Sequence, residues 1–286
     1  IYETRNINWN AEYVAVLKNN DSLLDIKGWV NLKNNTTRAF KNAKLKLMAG
    51  EVNRVREYPQ RNRMNMLYKT APMAEAAMDG EEAAPSFEQK DLFEYKIYVL
   101  NTPADIQAYS EKQLSLFEAN NIKVKKKYIY DIYKDDKKVN VSVEFQNSKN
   151  NNAGLPMPAG KVRVNTQNAA DSSIEFIGED KIEHTPENDT ITLTLGKAFD
   201  IKVERILKNN QRITRKHWKE TYEFNILNSK TEEITITIKE HILNYLKSEI
   251  ETQQKYRKVN AGLIEFDISI PAKSNKTFAY TISYYE

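Results

Sequence analysis

Apolar and polar residues alternate with a period of two along most of this 286-residue chain. The runs AEYVAVL (11–17), LLDIKGWVNLKN (23–34) and AKLKLMA (43–49) put apolar side chains on one side of an extended backbone. That is the mark of strands with one buried face. The same rhythm returns in LFEYKIYVL (92–100), KVKKKYIYDIY (123–133) and KVNVSVEF (138–145). From residue 200 it continues as DIKVERIL, KETYEFNIL, ITITIKEHI, LIEFDISI and TFAYTISYY. Between Leu155 and Arg205 the alternating segments are shortest, with Pro156, Pro158 and Gly160 before one and Pro186 to Asp189 before another. Short strands closed by such turns make sandwiches. Helix competes on propensity in SEKQLSLFEA (110–119) and NYLKSEIETQQKYRK (244–258), but the strand-like neighbours favour strand and loop in both.

Residues 59–91 break the rhythm, being rich in Ala, Met, Glu and Pro without a period. An exposed, mobile insertion is expected there. Met64, Met66, Met73 and Met78 would be the soft ligands or docking residues of a sharper reading, but no His or Cys supports them.

Three landmarks recur in order. Asn147-Ser148-Lys149 matches Asn228-Ser229-Lys230, Ile174-Glu175-Phe176 matches Ile264-Glu265-Phe266, and Pro186 matches Pro271. A fainter copy runs from VNLKNNT at residue 30 to Pro103. The expectation is an all-β protein of tandem immunoglobulin-like, Greek-key β-sandwich domains with one long mobile loop. Its divisions are placed at 1–120 with the insertion, 121–199, and 200–286.

Charge adds little, since 43 Lys and Arg face 39 Asp and Glu for a net +4. That is a mixed surface, unlike the concentrated charge of a nucleic-acid binder. Lys123, Lys125, Lys126 and Lys127 lead into Tyr128, Tyr130 and Tyr133, yet Asp131, Asp135 and Asp136 interleave, and strand lysines guard edges against pairing. Zero Cys excludes disulfides, thiolate metal sites and a Cys nucleophile. No apolar run approaches the ~18–20 residues of a membrane helix. The chain opens on Ile1, and a preceding N-terminal region is expected.

Candidate chemistry centres on Glu179, Asp180, Glu183 and His184. Neighbours on a strand point to opposite faces, and positions four apart lie about 13 Å from each other, too far for one metal unless a turn folds them together. His217 with Glu220, and Glu240 beside His241, make no metalloprotease pattern, and no nucleophile elbow or phosphate loop exists. No catalytic residue, cofactor or metal is expected. Trp9, Trp29, Trp218, 16 Tyr and 10 Phe belong mostly in cores; an exposed aromatic stripe would mark a carbohydrate or partner surface.

NWNAEYVAVL (8–17), NAKLKLMAGEVNRV (42–55), MPAGKVRV (157–164) and above all FIGEDKIEHTPENDTITLTLGKAFDIKVER (176–205) resemble one domain. It is the uncharacterised C-terminal domain of bacterial proteins similar to mucoidy inhibitor A, and the resemblance covers nearly the whole chain. It implies a preceding small β domain and a coiled-coil-like segment, but no agreed catalytic residues. The family often carries a His inside a Tyr-His-aliphatic-Tyr segment, where this chain has Lys96. The functional expectation is a non-enzymatic structural or interaction module of the bacterial cell envelope, periplasmic or extracellular. It would contact protein or glycan through exposed strand edges and loops. A metal-dependent hydrolase at Glu179, Asp180 and His184, or a self-associating assembly factor, are the alternatives.

Overall fold

The alternating runs form strands within residues 4, 6–18, 20–50, 87–92, 94–135, 137–167 and 173–286, the part of the chain described by the computed structural model. In chain order these strands begin with β1 (Ile7–Lys18), β2 (Leu23–Asn34), β3 (Phe40–Ala43) and β4 (Lys46–Ala49). Next come β5 (Phe87–Leu92), β6 (Tyr95–Leu100), β7 (Ala104–Ile106) and β8 (Ser110–Lys123). The middle of the chain forms β9 (Lys125–Asp131), β10 (Lys138–Gln146), β11 (Gly160–Gln167), β12 (Ile174–Ile182) and β13 (Thr190–Thr214). The remainder is β14 (His217–Asn228), β15 (Ile234–His241), β16 (Lys247–Thr252), β17 (Arg257–Asn260), β18 (Leu263–Ile270) and β19 (Ser274–Tyr285). Among the described residues the only helical turn is the short 3-10 segment Lys149–Asn151. The protein is all-β, with its sheets paired as sandwich layers.

Two compact units emerge, Ile1–Glu12 with Gly28–Phe117, and Tyr13–Lys27 with Glu118–Glu286. In the first, β4, β6 and β5 form a three-stranded sheet, and β3 pairs with β7. Val30, Leu32, Leu47, Tyr98, Leu100 and Ile106 are the main residues of its core. The run 92–100, read above as one strand, is instead two: Leu92 pairs with Tyr95, so the chain doubles back and β5 lies antiparallel on β6. The insertion expected over 59–91, with its four methionines, falls outside the described residues as far as residue 86. From Phe87 the chain is strand.

In the second unit a nine-stranded sheet runs β16-β19-β14-β13-β10-β9-β15-β18-β17. All its pairs are antiparallel except β9 with β15, where Tyr128 faces Ile236. The inward faces of β13, β14 and β19 meet those of β9, β15 and β18 in one core. Phe266 packs on Phe278 and Tyr280 with ring centroids 5.2 and 5.5 Å apart. Burying each such side chain contributes about 1.5–3 kcal/mol, which makes this packing the main support of the fold.

One polar residue recurs at the ends of the inward faces. Asn34 follows Leu32, Asn147 follows Phe145 and Asn228 follows Ile226 on the same side of the strand, and all three are buried. Each amide ties its strand end to later chain. Asn34 Nδ2 donates to the carbonyls of Arg38 and Gln107 at 2.9 and 2.7 Å. Asn147 Nδ2 donates to Leu155 and Pro186, both at 2.9 Å. Asn228 Nδ2 donates to Glu232 and Pro271, again at 2.9 Å.

The Asn and Pro landmarks of the internal repeat are thus equivalent in bonding, but the third landmark is not. Ile264 and Phe266 have no exposed surface, whereas Ile174 and Phe176 are 64% and 61% exposed. The reason is position. Ile264 and Phe266 pair with β15 inside the core, while Ile174 and Phe176 lie at the end of the β11–β12 ladder.

Candidate functional site

Strand geometry deals the acidic group of β12 to two sides. Glu179 sits opposite Arg163 in the ladder, and its carboxylate lies 3.5 Å from Lys161 Nζ and 3.7 Å from Arg163 Nε. Asp180 turns the other way and accepts the backbone N–H groups of Thr194 at 2.7 Å and Lys181 at 2.8 Å. His184 lies beyond the strand, where Nδ1 accepts the Ala159 N–H at 3.1 Å. Next to it, Thr185 forms a two-bond bridge with Met157 and donates its hydroxyl to the Glu183 carbonyl at 2.8 Å. The three side chains therefore hold β11, β13 and the 157–159 segment, each at its own place. Among the described residues no three His, Asp or Glu side chains are placed to hold a metal ion. The other histidines lie elsewhere: His217 stacks on Tyr285, and His241 Nε2 is 3.0 Å from Asp131 Oδ1.

The most elaborate polar cluster is one the sequence reading did not single out. Glu240, with no exposed surface, receives Arg205 Nε and Nη2 on its two oxygens, each at 2.9 Å. The Tyr280 hydroxyl donates to the same carboxylate. The Arg205 guanidinium lies 3.6 Å from the Tyr222 ring centroid, and the Tyr222 hydroxyl donates to Glu220 at 2.9 Å. Burial alone would lower the pKa of Arg205, but the hydrogen bonds and charge of Glu240 raise it above its usual value. Burial first, then the Glu240 charge, pushes the Tyr280 phenol up as well. The signal was present in the alternation. Glu240 shares a face with Ile234, Ile236 and Ile238, and Arg205 shares one with Ile201 and Val203, so both charges point inward and require each other. With both oxygens engaged, this cluster fixes register between the layers; the carboxylate is closed to a reactant.

The Lys- and Tyr-rich β9 offers no stacking platform, because Tyr128 and Tyr130 are 6% and 0% exposed. Lys126 and Lys127 bond Asp21 and Glu144, both at 2.7 Å.

A groove of about 830 Å³ opens where β10 leaves β13. Lys138, Lys202, Leu227 and Asn275 lie abreast there on four neighbouring strands. Lys138 pairs with Lys202 and Asn140 with Lys197, so Val139 alone opposes Ala198 to Ile201. This bulge turns Phe199 outward, 93% exposed at the groove's rim.

Among the described residues no helix is long and apolar enough to cross a membrane. No curated protein and no solved structure matches the chain. The domain of unknown function DUF4139 matches residues 1–284, and the chain belongs to that family.

Proposed function

We propose that this chain is a non-enzymatic structural or interaction module of a bacterial cell-envelope protein, working by surface contact with protein or glycan. The resemblance to the C-terminal domain of proteins similar to mucoidy inhibitor A motivates the envelope part of the reading. The contact part rests on one observation, the apolar groove of β10, β13 and β14 with Phe199 exposed at its rim. Strands already paired into two layers present a rigid platform, and binding to such a platform costs little ordering. The nearest alternative, metal-dependent hydrolysis at Glu179, Asp180 and His184, has no comparable support, since each of these groups is engaged by a separate local partner.

Fractionation of cells carrying the full-length protein, followed by crosslinking in place, tests the reading. Recovery in the envelope fraction with crosslinks to envelope protein or glycan is the expected result. Recovery wholly in the cytosol removes the envelope assignment.

A further inference from the structure

The groove beside Phe199 continues into an unpaired strand edge. As far as Lys202, β13 has β10 on one side; from Ile201 it has β14 on the other. Past Lys202, therefore, one edge of β13 carries no neighbouring strand among the described residues, up to Thr214. Alternate residues along such an edge offer a backbone donor and acceptor, which an added extended segment satisfies.

Charge narrows the occupant. Among the described residues that line the groove, Lys137, Lys138 and Lys202 face a single acid, Glu204. None of these lysines is ion-paired among the described residues. Farther along the same strand and its turn, Arg212, Arg215 and Lys216 add positive charge, and among the described residues Arg212 bonds the carbonyls of Thr214 and Arg215 and no carboxylate. A second copy of the chain would bring these cations face to face, which is how natural edge strands prevent self-pairing. A saccharide would leave the row of backbone groups unmatched.

We propose that this groove and the free edge of β13 together bind an extended, acid-flanked peptide segment of a partner protein. It adds as a strand beyond Lys202, with an apolar side chain against Phe199 and Leu227 and its carboxylates among Lys137, Lys138 and Lys202. The proposal rests on the interaction-module reading and specifies its partner.

The test is fluorescence anisotropy with the full chain and labelled synthetic nine-residue peptides. In these, valine, isoleucine or tyrosine alternate with threonine between paired glutamates; a second set has lysines in place of the glutamates. The acidic set is expected to bind at least about tenfold more tightly than the basic set, a preference that shrinks with added salt. Phe199→Ala, at a site too exposed to disturb the core, is expected to weaken binding about tenfold, and the triple change of Lys137, Lys138 and Lys202 to Glu to reverse the preference. Tyr109→Ala, at an exposed aromatic of the first compact unit that lines neither this groove nor the β13 edge, is expected to change nothing. Binding of neither set, or of both equally, overturns the proposal. So does sedimentation showing a dimer of the free chain that Phe199→Ala dissociates, since the occupant would then be a second copy. Failure of the peptides while envelope crosslinks persist removes the groove assignment alone; cytosolic recovery with intact peptide binding removes only the envelope.

Discussion

Asn228 donates from Nδ2 to the carbonyl of Pro271 at 2.9 Å, and eighty-odd residues earlier Asn147 makes the same bond to Pro186 at the same distance. In both cases the amide closes the end of an inward-facing strand onto the proline that precedes the last strand of its block. Asn228 also reaches Glu232 at 2.9 Å, and its Oδ1 accepts the Lys230 N–H at 3.1 Å. A side-chain amide suits this place because it carries two N–H donors and a carbonyl acceptor on one planar group.

Asn228→Ala therefore leaves the buried Ile270 carbonyl, two part-buried carbonyls and an N–H without this partner, and it is expected to destabilise the chain by about 1–3 kcal/mol. Asn228→Asp keeps the shape but turns the donor into an acceptor facing carbonyls, so it should lose at least as much. Urea unfolding with an unchanged slope is the measurement. A loss below half a kilocalorie would show that water replaces the amide.

The Arg205–Glu240 pair makes a second prediction with an internal control. Arg205→Met strands a fully buried carboxylate and is expected to remove about 3–5 kcal/mol. Replacing both partners together, Arg205→Met with Glu240→Leu, removes the unpaired charge and should recover most of that loss. The double-mutant cycle reads the coupling directly by denaturant unfolding. Additive losses would mean that the pair does not act as a unit.

How far the alternation carried this chain shows in these two clusters. Strand after strand was legible because one face is buried, including 110–119, where helix propensity competed and burial decided; 247–252, with no buried residue, is strand through its pairing with β19. Asn147, Asn228 and their prolines were visible as landmarks, though not their bonds. Two things escaped. Ile174-Glu175-Phe176 copies the letters of Ile264-Glu265-Phe266, but letters do not say whether a strand lies beneath a second layer. Phe199 also escaped, because alternation gives no sign of the bulge at Ala198 to Ile201, inside the single strand 190–214, that reverses which way a Phe points. At the site level, Glu179, Asp180 and His184 drew notice as reactive types. Glu240 was weighed only beside His241, as a metal pattern, although its inward parity was the stronger physical signal.

Asp135 supplies a pH prediction. Lys197 donates to its carboxylate, and the N–H groups of Lys137 and Lys138 do so at 3.1 and 3.0 Å. The Lys197 bond first, then the Lys137 N–H, lowers its pKa from the ordinary 3.8 to about 2. A depressed folded value means that the stabilisation is fully present above about 3.8 and is lost as pH falls through about 2. Carboxyl NMR titration should find the midpoint near 2, and Lys197→Ala should move it up toward 3.8 without reaching it, because the two backbone donors remain. A midpoint already at the ordinary value would show that the Lys197 contact is not populated in solution.

Two glycines on facing strands give the last prediction, a matched pair with opposite outcomes. At Gly178 in β12, an added Cβ would lie 2.2 Å from the Leu195 carbonyl oxygen in β13, and backbone cannot swing aside as a side chain can. At Gly196, one residue beyond that leucine, an added Cβ meets nothing within 4 Å. Neither glycine has a positive φ, so an alanine is conformationally allowed at both. Gly178→Ala should thus force β12 and β13 apart and destabilise by about 1–3 kcal/mol. Gly196→Ala should be neutral or stabilise by up to about 1 kcal/mol, since the unfolded chain loses freedom and the folded chain gains no clash. Both are read by thermal and urea unfolding of the same chain. Because the two sites share a composition change and lie on neighbouring backbone, only the approach of β12 to β13 separates them; equal effects would show that this close contact does not form.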